Sequence, residues 1–447
     1  MIEQELLPIL ERSIQIGKWK AYEGYKDSGI EWVGKVPAHW EVRKLKYLTY
    51  LKYGNSLPAD KREDGAILVF GSNGSVGTHS QANTSSPVII IGRKGSSGKI
   101  VFSEFPCYAI DTTYYVDKTA KEICMRWLFY VLRLLRLDEF SEDTAVPGLN
   151  RDYVHMQQLP LATINEQQAI ATFLDRETAR LNELITKKER MIALLQERRT
   201  AIINRAITRG LKPDVPMRDS GVEWLGEIPA HWEVRRVKHL TTFITSGSRG
   251  WAQYYSDYGA IFLRIGNLSR DTIRLDLEDT QRVLPPKGTE GQRTKVNQND
   301  ILISITAYIG SIAVITEDIG EAYVSQHIAL TRPCLNIVNP IWLGYFLLSA
   351  PGQDQFRLSQ YGGTKDGLGL YDIKNLDIII PPLPEQRALV TYIEKETAKI
   401  DKLISVIEEG IKKLKEYSTA LISAAVTGKI DVRGEVAAMP TIEPAAL

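Results

Sequence analysis

Only three cysteines occur in 447 residues, Cys107, Cys124 and Cys334. An odd, widely spaced set excludes a disulfide framework and a zinc knuckle, so all three read as small core residues. No apolar run approaches the roughly 18 residues that span a bilayer, and the opening MIEQELLPILERS carries acids where a signal peptide carries bases. A membrane role is excluded on this reading and a cytoplasmic protein is expected. Charge of one sign is also missing: 55 Lys and Arg face 54 Asp and Glu. The balance is local as well, 15 against 13 over residues 41–160 and 15 against 15 over residues 233–380. A protein that coats DNA non-specifically needs a basic excess, so that class is excluded. A module that presents a few bases on selected loops and takes the rest of its grip from a partner is not.

Catalytic motifs are missing too. An amino-methyltransferase of DNA needs an Asn/Asp-Pro-Pro-aromatic loop for the flipped base, and the proline pairs here, LPPKG and IPPLP, lack the preceding acid or amide. The nearest phosphate loop, GRKGSSGKI from Gly92, has its leading glycine one residue too far out and lacks the Ser or Thr that holds Mg²⁺. The six His are scattered, with His39 and His231 beside Trp40 and Trp232, where packing or helix capping explains them. No triad or metal cluster emerges. With 44% hydrophobic and 24% charged residues, the chain is nevertheless an ordinary globular one, long enough for two to four domains.

What is present is a duplication. DSGIEWVGKVPAHWEVRKLKYLT at residues 27–49 returns as DSGVEWLGEIPAHWEVRRVKHLT at 219–241, with 16 of 23 positions identical. INEQQAIATFLDRETARLNELI at 164–185 returns as LPEQRALVTYIEKETAKIDKLI at 383–404. The offsets are 192 and 219, so the segments between the paired blocks differ by 219 − 192 = 27 residues. Matched frames hold unlike inserts.

After the second block of each repeat, apolar residues follow an alternating three-and-four spacing: Ile170, Leu174, Leu181, Leu184, Ile192, Leu195 and Ile202, then Leu389, Ile393, Ile400, Leu403, Ile411, Leu414 and Leu421. This is a coiled-coil seam, and the shared register predicts two helices of roughly 40 residues that pair. The inserts instead show short β-rich runs punctuated by Gly, Ser, Asn and Thr, such as SPVIIIG, GKIVF and DILISITAYIG. Each closes on an apolar run and a proline before its helix. The partition expected is an N-terminal segment (1–26), a β-rich domain (27–160), a central helix (161–210), a linker (211–218), a second domain (219–382), a second helix (383–430) and a flexible tail (431–447).

Two variable domains, each entered through DSGxEWxGxxPxHWE and closed by a PLxxxxEQ-type turn into a long helix, resemble the specificity subunit of a type I restriction–modification enzyme. FGSNGSVG, IIIGRKGSSGKIVF, YAIDTTYYVD, FLRIGNL, NDILISITAYIGSIAVI and YVSQHIALTRP are similar to recurring phrases of that family's target recognition domains. The resemblance implies an α+β, pseudo-twofold chain in which two target recognition domains are separated by two long helices forming an antiparallel coiled coil. Each domain reads half of a split, asymmetric target in double-stranded DNA. It also implies a chain without a catalytic site of its own. Two modification (methyltransferase) subunits use S-adenosylmethionine, and restriction (translocase and nuclease) subunits use ATP and Mg²⁺. A stand-alone nucleic-acid enzyme and a symmetric scaffold are the alternatives, disfavoured by the missing motifs and by the unlike inserts respectively.

Candidate DNA contacts follow from position and chemistry. Arg93, Lys94, Ser96 and Lys99 occupy a Gly/Ser-rich loop with no acid from Gly92 through Ser103, suited to phosphate or to a solvated hairpin turn. Ser72, Asn73 and Ser75 suit base edges or a tight turn. Arg264, Asn267, Gln326 and His327 can read base edges or sit satisfied in the interior. Thr364 and Lys365, flanked by glycines, and the corresponding loops Asn55-Ser56 and Ser248-Arg249 complete the set. Trp32, Trp40, Trp224 and Trp232 offer stacking platforms, but surfaces that read different half-sites diverge and these do not. They are assigned, with Leu181, Leu195, Ile400 and Leu414 of the helices, to structure or partner docking.

If the helix pair spaces the two readers, four residues inserted near Lys188 add about 6 Å, roughly two base pairs at 3.4 Å each. Methylome sequencing of a host carrying the variant and its modification subunit should show unchanged half-sites and a longer unread gap. An active enzyme with the original gap removes the spacer role.

Overall fold

A computed structural model describes residues 19–119, 122–137, 148–247, 249–285, 289–360 and 367–437. Two compact units form, and they do not follow chain order: Met1–Glu189 with Glu408–Leu447, and Arg190–Ile407. The long helices Ile164–Arg209 and Leu383–Val426 each contribute to both. In the first unit Ile170, Phe173 and Leu174 share a core with Leu421, Ala424 and Ala425. In the second, Ile203, Ala206 and Ile207 share one with Leu389, Val390 and Ile393, and Arg199 pairs with Asp401. In each unit low numbers of one helix meet high numbers of the other, so the pair is an antiparallel coiled coil.

The seam departs in detail from the spacing in the sequence. Leu181 and Ile400 are buried, and Leu195 and Leu414 are half-buried. Leu184 and Leu403, expected in the seam, are 40% and 52% exposed, while Ile185 and Ile407 are buried. The strict seven-residue repeat drifts around a 3.6-residue helix, so the contact passes to the next residue at Leu184 and one turn further on, to Ile407, at Leu403.

Both helices are clamped by the Pro-Ala-His-Trp turns. Glu166 caps the first helix, accepting from Thr163 N at 3.1 Å and Thr163 Oγ1 at 2.7 Å, and is hydrogen-bonded to His39 Nε2 at 2.8 Å. Burial alone raises the Glu166 pKa, but the bonds from Thr163 and His39 hold it below the usual carboxylate range. In the second repeat His231 binds Glu385, at the start of the second helix, at 2.8 Å. The neighbouring tryptophans hold the opposite ends. Gly428, with φ 73°, follows the second helix where a Cβ would overlap Pro37 and stand 3.1 Å from Trp40; Gly210, with φ 71°, follows the first helix 3.2 Å from Trp232 by the same measure. Trp40 and Trp232 are buried, and Trp32 and Trp224 pack partly buried on the same cores.

Each unit carries a four-stranded sheet. The orders are Lys52–Tyr53, Thr113–Val116, Val88–Gly92, Ile100–Ser103 and Thr241–Ser246, Ile328–Pro333, Ile301–Ser304, Ile312–Val314. Val88–Gly92 and Ile301–Ser304 are buried throughout, which is why VIIIG and ILIS lack polar alternation. Beside each lies a second, smaller sheet with one parallel pair, of three strands in the first unit (Ile67–Gly71 with Tyr108–Ala109) and of four short strands in the second (Ala260–Leu263 with Ala322–Val324). Part of the longer second insert is spent on Gln281–Val283, which extends the small sheet, and on the crossing where Ile273 O accepts from Val314 N at 2.8 Å.

Three expectations need correction. The tail does not begin at 431: Asp431 bridges Lys20, Val432 is fully buried and Arg433–Ala437 is helical, because these residues complete the first core. The end of the linker, Met217–Asp219, is a strand on Glu227–Pro229, as Tyr25–Asp27 is on Lys35–Pro37. Cys107 is a core residue, but Cys124 and Cys334 are only half-buried.

Gly428→Ala should destabilise the protein by more than Gly29→Ala. Both glycines have positive φ, but a Cβ at Gly29 meets nothing within 4 Å. Gly29→Ala should cost about 1 kcal/mol for the left-handed conformation, and Gly428→Ala should add to this the displacement of Pro37 and Trp40. Urea denaturation of the two variants compares them directly.

Candidate nucleic-acid interface

The candidates of the first unit converge on one stretch of backbone, Ala109–Thr112. Asn55 N donates to Ala109 O at 3.0 Å, Ile110 N to Phe70 O at 3.0 Å, and Arg93 N and Lys94 N to Thr112 O at 2.8 and 3.2 Å. Gly54 permits the first approach, since a Cβ there would overlap the Ile110 carbonyl. Ser72 and Asn73 form the two-residue turn between the paired strands Ile67–Gly71 and Gly74–His79. Lys99 ties this turn to its own loop, Nζ donating to Asn73 O at 2.7 Å and Asn73 Oδ1 at 2.9 Å. Asn55, Ser56, Asn73, Ser75, Lys94, Ser96 and Lys99 are exposed, and Ser72 is half-buried.

Arg93 is built in rather than free. It is half-buried, its guanidinium lying 5.1 Å from the Tyr53 ring centre and 5.9 Å from that of Tyr114. Arg151 lies 4.9 Å from the same Tyr53 ring centre and donates to Tyr50 Oη at 2.7 Å. The sequence reading missed this cluster. Its signal was the run of Tyr47, Tyr50 and Tyr53 at three-residue spacing across the end of the frame block, and all three are exposed. Exposed rings carrying guanidinium groups suit stacking and phosphate together. Lys99 also lines a groove of about 940 Å³ with Arg126, Arg133 and Arg136, and no carboxylate is among the lining residues. Arg126 itself is paired to Asp175 at 2.7 Å.

The second unit repeats the plan. Gly247 lies where a Cβ would overlap the carbonyls of Val324 and Ser325, Ser325 N donates to Leu263 O at 2.9 Å, and Ile305 N donates to His327 O at 3.0 Å. Arg264, Asn267 and His327 share a cleft of about 390 Å³ with Tyr255, Asp279 and Ser325. Gln326 Nε2 lies 3.0 Å from His327 Nε2, and Thr306 Oγ1 is 3.0 Å from His327 Nδ1.

Asn267 takes the interior alternative. It is 3% exposed, accepts from Arg264 N at 2.8 Å, and donates to Asp276 O and Asp279 O at 2.9 Å each. Its amide is spent on holding the loop. Arg249 is exposed. Ser248, Thr364 and Lys365 lie outside the described residues. Among those described, no group of His, Cys, Asp or Glu is arranged to hold a metal ion, and no helix is long and apolar enough to cross a membrane.

Two frames of one plan, each presenting exposed polar and cationic loops at the ends of a parallel strand pair, define a bipartite binding protein. Residues 37–193 and 229–413 match the type I restriction modification DNA specificity domain, and the chain belongs to that family. It is similar to the type I restriction enzyme EcoBI specificity subunit of Escherichia coli, 22% identical over 76% of this chain and 73% of that protein. It is also similar to the MjaVIII specificity subunit of Methanocaldococcus jannaschii, 22% identical over 89% and 95%. A solved chain described under complex assembly and conformational transition of the type I R-M system shares the fold, with a TM-score of 0.65, 16% identity and coverage of 88% and 98%. Subunits of this kind recognise DNA and leave catalysis to other subunits.

Lys94→Ala with Lys99→Ala should weaken DNA binding by the assembled enzyme about equally on all sequences and lower the salt slope by about one per lysine. Fluorescence anisotropy from low to high salt measures both. An unchanged slope assigns the loop to a solvated turn.

Proposed function

We propose that this chain reads an asymmetric DNA target in two halves, one per unit, and directs the adenine methylation and ATP-dependent restriction carried out by its partners. The reading rests on one observation: equivalent strand ends of a matched frame carry unlike side chains, Ile110-Asp111-Thr112 in the first repeat and Ser325-Gln326-His327 in the second. Identical readers would select a symmetric site; these select two different half-sites.

Two modification subunits, binding S-adenosylmethionine, dock on the repeated frame and helices, and restriction subunits using ATP and Mg²⁺ add to them. Support for docking comes from the exposed apolar side chains along the helices, Leu184, Met191 and Leu194 on the first and Leu403 and Val406 on the second. A soluble chain leaves such a stripe bare at the risk of association unless a partner covers it. The near-zero net charge fits the same division of labour, because a reader with a few phosphate contacts depends on a partner for most of its affinity.

The purified chain should transfer no methyl group from S-adenosylmethionine to DNA, and the same chain co-purified with its modification subunit should methylate adenine. Radiolabelled methyl incorporation, followed by sequencing of the modified sites, measures both. Transfer by the isolated chain overturns the assignment, as does a complex whose methylated sites share no two-part sequence.

A further inference from the structure

The parallel strand pairs of the two repeats can be aligned bond for bond. Ile110 N donates to Phe70 O in the first and Ser325 N donates to Leu263 O in the second, so Phe70 corresponds to Leu263, Gly71 to Arg264, and Ile110 to Ser325. In the first repeat the place is closed by apolar contact: Gly71 has no side chain, and a Cβ there would stand 3.4 Å from Ile110 Cδ1. In the second the same place is the cleft of about 390 Å³. The frame is kept and its contents are exchanged for groups that can hydrogen-bond a base.

We propose that this cleft is the base-reading pocket of the second unit, with Arg264 taking the edge of a guanine and Ser325 a hydrogen-bonding residue at its floor. The proposal rests on the DNA-reading role above and names the residues and the base. Arg264 is held for the task at its backbone, where its N–H is bound by the buried Asn267 amide, and Asn267 in turn is fixed on two carbonyls. Its guanidinium is only loosely paired, Nη2 lying 3.7 Å from an Asp279 carboxylate that is 96% exposed. Such a pair is weak in water and leaves the N–H fork available. The planar fork matches guanine O6 and N7, the commonest specific contact between a side chain and a base. Tyr255 and the anchored His327 form the walls. Ser325 is 6% exposed and its hydroxyl finds no partner among the described residues. A buried hydroxyl without a partner is destabilising, and a base edge in the cleft supplies one.

The test uses the full chain co-purified with its modification subunit and a library of duplexes randomised across the target, with bound DNA sequenced. The unaltered complex should select two half-sites, one containing a guanine whose preference falls about ten- to hundredfold in Arg264→Ala, while the other half-site stays unchanged. Arg264→Lys, which keeps the charge without the fork, should relax the same position. Ser325→Ala should relax that position or its neighbour with an unchanged or raised Tm, since the hydroxyl removed had no partner. Equal weakening on all sequences in Arg264→Ala identifies a phosphate contact and overturns the proposal. An unchanged consensus in both Arg264→Ala and Ser325→Ala overturns it as well. If the unaltered complex itself selects no two-part sequence, the DNA-reading role fails, an outcome separate from either of these.

Discussion

Each Pro-Ala-His-Trp turn holds two helix ends at once, and the arrangement of both units depends on it. The histidine bonds a glutamate in the first turn of one long helix, His39 with Glu166 and His231 with Glu385, while the adjacent tryptophan packs on the left-handed glycine that ends the other, Trp40 on Gly428 and Trp232 on Gly210. A dipeptide that binds a helix start and a helix end together requires the helices to run antiparallel. It also explains why these four residues recur unchanged between the repeats: each helix end depends on one of them. Their recurrence needs no base-stacking role, because the rings of Trp40 and Trp232 are buried.

With the helices so held, each core is assembled from distant parts of the chain. The first takes Trp19 and Tyr22 from near the start, Phe173 and Leu174 from the first helix, and Ala425, Ile430 and Val432 from near the end. The candidate loops stand apart from these contacts, at the ends of the parallel strand pairs. Gly54 and Gly247 are the joints, since only a residue without Cβ allows the chain to pass so close over the neighbouring carbonyls. Loops resting on such a joint can change their side chains without disturbing the helix pair. A scaffold with separable loops follows from this construction.

Several parts were readable beforehand for physical reasons. Duplication forces equivalent residues into equivalent surroundings, so the frame, the paired helices and the β-rich inserts follow from self-comparison. Apolar spacing located the helices but misplaced the seam at Leu184 and Leu403, because periodicity specifies a face and not which of two adjacent leucine or isoleucine residues occupies it. The same limit applied to Asn267, whose chemistry suits a base edge as well as three backbone partners; only its neighbours in space distinguish the two.

Sequence alone determined that the chain is a near-symmetric frame around two unlike inserts, with balanced charge and no motif for methyl transfer or ATP hydrolysis, since these are properties of order and composition. Tertiary structure decided which side chains share a surface. Arg93 is separated from Tyr53 and Tyr114 along the chain and is half-buried only because the sheet brings their rings against it. Arg264 and Ser325 lie 61 positions apart in the sequence (325 − 264) and meet because two strands pair in parallel and end at the same level. Proximity of this kind is produced by backbone hydrogen bonds between distant segments, which leave no local pattern in the chain.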